Sequence, residues 1–129
     1  MTPMMKILVI DDEAVVLESC KKILRSEGFA VALVSTVDDA LALLEQERFS
    51  LLLIDIKMPK RDGLYLMDVL CRRGEQIPVV VMSGYQTEET IEEATRRGAA
   101  FFLPKPFTPD ELLSAVRKVI KRNEQGSGK

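Results

Sequence analysis

Five apolar runs alternate with five amphipathic stretches along the chain, and that alternation points to a fold. The apolar runs cover residues 6–10, 30–34, 51–55, 79–82 and 100–103 and predict strands β1 to β5. They are nearly unbroken, as in Leu51-Leu52-Leu53-Ile54 and Val79-Val80-Val81-Met82. Such runs suit strands covered on both faces, hence a parallel sheet. Between them, helical spacing predicts α1 to α5 over 13–27, 37–47, 63–73, 88–97 and 109–122. The punctuation agrees. Gly28 and Gly98 stand just past helix ends, where a left-handed cap is expected. Thr36 with Asp39 forms a capping pair, and Thr108-Pro109-Asp110-Glu111 puts Thr at the N-cap, Pro at the first helical position and Glu at the third. Five βα units with right-handed crossovers make a doubly wound α/β fold.

Four of the strands run into polar residues: Asp11-Asp12 after β1, Asp55 at the end of β3, Ser83 after β4 and Lys105 after β5. Open α/β sheets bind their ligands at this carboxyl edge. Side by side, these strand ends bring three carboxylates, a hydroxyl and an ammonium into one pocket, a set suited to a divalent cation and a phosphoryl group. Three close carboxylates repel one another unless a cation joins them. Each residue also has a plainer use. Asp11 and Asp12 are good helix caps, Ser83 is a common turn residue, and Phe102 fits the core of a buried strand. Lys105 stands apart from an ordinary surface lysine because Pro104 and Pro106 flank it after an apolar strand.

Composition narrows the class. A chain of 129 residues with 47% hydrophobic and 29% charged residues fits one globular domain. A net charge of −2 argues against nucleic-acid binding by bulk electrostatics. No apolar run approaches the roughly 18 residues of a membrane span, and residues 1–6 do not form a signal peptide. Cys20 and Cys71, with no histidine in the chain, make no zinc site and are expected to be two reduced helix cysteines of a cytoplasmic protein.

Ile10-Asp11-Asp12-Glu13, Asp55-Ile56-Lys57-Met58-Pro59 with Asp62-Gly63, Met82-Ser83-Gly84 and Leu103-Pro104-Lys105-Pro106-Phe107 occur in this order, each closing a strand. Together they resemble the receiver domain of two-component response regulators over residues 6–122. The resemblance implies a flavodoxin-like three-layer (βα)5 sandwich with strand order 2-1-3-4-5, preceded by an extension (1–5) and followed by a flexible tail or linker (123–129). It implies Asp55 as phosphoacceptor, with Mg²⁺ held directly by Asp12, Asp55 and the Lys57 backbone carbonyl and largely through water by Asp11. Lys105, aimed by a cis bond to Pro106, would pair with Asp55 and then with a phosphoryl oxygen. Ser83 and Phe102 would form the switch, with Lys57 and Tyr85 tuning hydrolysis.

The expected function is a phosphorylation-driven signalling switch, not an enzyme beyond its own phosphorylation and slow autodephosphorylation. Its phosphodonor would be a sensor histidine kinase or phosphotransfer protein, and its output face α4-β5-α5, through which a homodimer would also form. Neither nucleic acid nor membrane is an expected direct contact. No output domain is recognisable in the sequence, so the expectation is either a protein that acts by protein contacts alone or a fragment cut before an effector. The loop Gly98-Ala99-Ala100 lacks an acidic pair, and the Phe102-to-Phe107 string resembles receivers of AAA+ activators or hybrid kinases. Two other readings compete: a receiver-like interaction module that takes no phosphate, and a haloacid-dehalogenase-like phosphatase. The latter would carry a second acid two residues after its nucleophile, where this chain has Lys57.

Overall fold

β1 (Lys6–Ile10), β2 (Ala30–Val34), β3 (Leu51–Asp55), β4 (Val79–Ser83) and β5 (Phe101–Pro104) form one parallel sheet in the order β2-β1-β3-β4-β5. α1 (Ala14–Ser26), α2 (Val37–Gln46), α3 (Gly63–Arg72), α4 (Glu88–Arg96) and α5 (Pro109–Ser127) follow the strands in turn. This computed structural model describes residues 5–57, 62–84 and 87–127, with side chains through Arg122. Met58, Pro59 and Tyr85, named above from the sequence, lie outside the described residues.

The strand period of two sorts the core into two layers. Leu8, Ile10, Leu52, Ile54, Val79 and Val81 point to one face and pack with residues of α2, α3 and α4. Ile7, Val9, Leu51, Leu53, Val80 and Met82 point to the other and pack with α1 and α5. Every residue of β3 and β4 is buried, as two-sided burial in a parallel sheet requires, whereas the edge strand β2 is only half-buried. Each buried Leu, Ile or Val side chain contributes about 1.5–3 kcal/mol. This burial anchors the central strands and so fixes where their polar ends emerge.

The caps behave as the sequence indicates. Thr36 accepts the Asp39 N–H, and Thr108 and Glu111 exchange reciprocal hydrogen bonds at the start of α5. Gly28 and Gly98 take φ of +91° and +94° just past α1 and α4. Several boundaries differ, most by a single residue. β5 starts at Phe101 and includes Pro104, which an edge strand tolerates although proline lacks a donor. α1 starts at Ala14, with Glu13 as its N-cap. α5 runs to Ser127, past the predicted end at Arg122: Lys121 to Gln125 includes the good helix formers Lys, Arg, Glu and Gln, and the helix continues through Gly126 despite that residue's low propensity. Both cysteines are free; Cys20 is buried and Cys71 exposed. Burial pushes the Cys20 thiol up to about 12, as expected of an inert core cysteine. Among the described residues, no helix is long and apolar enough to cross a membrane.

Candidate functional site

The carboxyl edge of the sheet collects the charged groups. Asp11 follows β1 and is fully buried, Asp55 ends β3 and is 4% exposed, and Asp12 between them is exposed. One carboxylate oxygen from each lies within 4.8 Å of the others. Asp11 and Asp12 do not cap α1: its N-cap is Glu13, which makes no side-chain capping bond. Asp11 Oδ1 instead accepts the Glu13 N–H at 2.9 Å. Asp55 Oδ1 accepts the Lys57 N–H at 3.3 Å.

Lys105 leaves the end of β5 and turns into this cluster, with a cis bond to Pro106. Its Nζ donates to Asp11 Oδ2 at 2.7 Å and to Glu13 Oε1 at 3.2 Å, and lies 3.4 Å from Asp55 Oδ2. The sequence pairs Lys105 with Asp55; in the structure Asp11 is the nearer partner, and Glu13 is a third that sequence reasoning missed. An acid directly after the Asp pair was the available signal, but it reads equally well as the first residue of a helix.

Burial and opposing charges set the proton affinities. Asp55 is raised to about 6, first by burial and then by the negative charge of Asp11, with Lys105 pulling the other way. Asp11 is also raised by burial, against its hydrogen bond from Lys105. Burial alone would lower Lys105, but the hydrogen bond to Asp11 and the charges of Asp11 and Asp55 outweigh it and hold the ammonium protonated. At neutral pH the pocket is therefore anionic and incompletely neutralised. Its donors are hard carboxylate oxygens beside an open edge, a set that fits a small divalent cation keeping some of its water.

Ser83 ends β4 and Phe102 lies on the neighbouring β5. Ser83 is fully buried and sits opposite Pro104 in the sheet, and its carbonyl accepts the Lys105 N–H at 2.9 Å. A shift of the Ser83 backbone would thus pull directly on Lys105. Phe102 is opposite Val81 and partly buried against the α2–α3–α4 layer.

Behind Asp55, α3 comes close to β3. Asp62 caps α3 by accepting the Tyr65 N–H at 3.1 Å, and the Gly63 N–H donates to the Ile56 carbonyl at 3.1 Å. A Cβ at Gly63 would lie 2.6 Å from both the Asp55 carbonyl oxygen and Ile54 Cγ2, so glycine is required by the close approach. Beside Lys105, an open and mainly apolar groove of about 370 Å³ runs between Val15, Val16, Pro106 and Phe107.

Comparison with known proteins gives this architecture a family. The family model of the response regulator receiver domain matches residues 7–117. The chain is 32% identical over 120 residues to response regulator MprA of Mycobacterium leprae, covering 93% of this chain and 53% of that protein. Among solved structures, a CheY-like receiver domain protein from Methanospirillum hungatei matches with a TM-score of 0.88 at 31% identity, covering 96% of this chain and 99% of that one. NtrX from Brucella abortus matches with a TM-score of 0.91 at 31% identity, covering 98% of this chain but 29% of NtrX. The chain spans about half the length of the curated relatives it matches. On sequence, fold and strand order alike, the chain belongs to the response regulator receiver domains of two-component systems.

Proposed function

We propose that this receiver is a phosphorylation-driven switch in which Asp55 accepts a phosphoryl group from the phosphohistidine of a sensor histidine kinase or phosphotransfer protein. One observation carries this: the carboxylate oxygens of Asp11, Asp12 and Asp55 converge within 4.8 Å, with the Lys105 ammonium 2.7 and 3.4 Å from two of them. Asp11, Asp12, Asp55 and the Lys57 carbonyl would hold Mg²⁺, which supplies positive charge to the phosphoryl oxygens.

The chain's own groups do the rest. Asp55, mostly ionised at neutral pH, attacks phosphorus, and the P–N bond to imidazole breaks on the opposite side. The bonding pair leaves with the imidazole nitrogen, which takes up a proton. Lys105 pairs with a phosphoryl oxygen as a compact point charge. The Ser83 hydroxyl donates to another, drawing the end of β4 toward the group. Phe102, on the neighbouring strand, follows and alters the α4-β5-α5 face, where protein partners or a second copy would bind. The groove along Val15 and Phe107 opens beside Lys105 and would offer a surface against which a macromolecular donor could rest. Slow hydrolysis of the acyl phosphate returns the resting state. Residues 6–122 form the receiver proper, with 1–5 and 123–129 outside it.

The test is mass spectrometry after incubation with acetyl phosphate and Mg²⁺. One added phosphoryl group in the parent chain and none in Asp55→Ala is the expected result. Full labelling of Asp55→Ala would remove Asp55 as acceptor. No labelling of the parent chain would favour an interaction module that takes no phosphate.

A further inference from the structure

Lys105 is shared by three carboxylates, and one of them has no part in the chemistry above. Asp11 and Asp55 are buried members of the acidic cluster, whereas the Glu13 side chain is 63% exposed. Glu13 stands at the N-cap of α1 yet makes no capping bond there. By contrast, Thr36, Asp62 and Thr87 at the N-caps of α2, α3 and α4 each accept a backbone N–H of their own helix. The Glu13 side chain reaches instead from the β1–α1 junction to the β5–α5 junction and receives the Lys105 ammonium at 3.2 Å. Its backbone is held in place by the Asp11 carboxylate, so the long arm starts from a fixed base.

We infer that Glu13 is a positioning residue that restrains Lys105 in the resting chain and competes with the incoming phosphoryl oxygen for its ammonium. This rests on the phosphoacceptor function proposed above. An ammonium has three N–H donors, and three carboxylates already surround this one. A fourth acceptor has to displace one of them. Asp11 is the hardest to leave, because a buried carboxylate stripped of its partner is costly. Asp55 stays in place, since it carries the new group. Glu13 is the one that water can satisfy after Lys105 departs, and an exposed ion pair gives up little when broken. Glu13 therefore sets how readily Lys105 is released to the phosphoryl group. A glutamine at this position would release it more readily, and an aspartate, one methylene shorter, would fail to reach it while keeping the charge.

The experiment is titration of the full chain with beryllofluoride at saturating Mg²⁺, followed by NMR. It compares the parent, Glu13→Gln, Glu13→Asp, Lys105→Ala and the Glu13→Gln/Lys105→Ala double variant. Glu13→Gln should bind beryllofluoride up to about fivefold more tightly than the parent, and Glu13→Asp should resemble it. In the Lys105→Ala background the gain should vanish, since the two residues would then be energetically coupled. An affinity unchanged or weakened in Glu13→Gln would overturn the inference. So would Glu13→Asp matching the parent, or a full gain persisting without Lys105, because both would mark a general charge effect. If the parent binds no beryllofluoride, the phosphoacceptor function falls and this inference with it.

Discussion

Replacing Asp55 by asparagine should make the metal-free protein more stable while abolishing phosphate acceptance. The carboxyl titrates at about 6 in the folded chain against an ordinary 3.8. That gap, at 1.36 kcal/mol for each tenfold in proton affinity, corresponds to roughly 3 kcal/mol. The sign follows from linkage. A carboxyl raised on folding stabilises the native state fully below about 3.8, and the contribution is lost as pH rises through about 6. At pH 7.5 without divalent cation, the ionised Asp55 therefore burdens the folded chain, and the near-isosteric amide relieves it. For a domain of this size, roughly 3 kcal/mol raises the melting temperature by on the order of 10 °C. Thermal melts of parent and Asp55→Asn in EDTA at several pH values measure it directly. The advantage of the variant should be large at pH 7.5, shrink from pH 6 to pH 4, and narrow at pH 7.5 when Mg²⁺ is added. Equal melting temperatures at pH 7.5, or an advantage that does not change with pH, would refute the claim that burial and Asp11 strain this carboxylate.

Mg²⁺ at millimolar levels should raise the parent's melting temperature by relieving the Asp11–Asp12–Asp55 repulsion; Asp12→Ala should remove that rise and Asp11→Ala weaken it, as scanning calorimetry would show. Lys105→Ala should destabilise the metal-free chain by a few kcal/mol, because it leaves Asp11 and Asp55 buried without their cation; urea melts should show Mg²⁺ restoring part of the loss, and phosphorylation should no longer reach the output face. Beryllofluoride with Mg²⁺ should shift backbone NMR signals at Ser83 and from Phe101 to Lys105, and Ser83→Ala should shrink those shifts. Thr108→Ala should cost about 1 kcal/mol in urea melts by breaking the reciprocal cap of α5.

The strands were legible because two-sided burial leaves nothing but apolar residues in runs such as 51–54 and 79–82, and the pocket was legible because polar residues interrupt those runs at the sheet's edge. Side-chain reach was not. Sequence order brings Lys105 and Asp55 to one edge, yet the shorter contact is to Asp11, across a path that depends on the turn after β5. Nor does sequence convey how deep Lys105 lies. Its side chain is only 15% exposed, so it also matters to stability. Glu13 was hidden by ambiguity, since an exposed glutamate at a helix start satisfies helix patterning without any further role. The extension of α5 to Ser127 escaped notice because a polar stretch carries no apolar period from which to read a helix.

The tie between Gly63 and Ile56 turns the chain from the end of β3 to the start of α3 into a closed ring hanging from two fixed posts. Closure entropy grows only slowly with ring length. A change in the number of residues between the posts would therefore alter the closure cost little. The posts themselves have no such latitude: one methyl group on Gly63 would collide with the Asp55 carbonyl and lever the two elements apart. In this chain, the placing of Asp55 would therefore be most sensitive to sequence change at position 63.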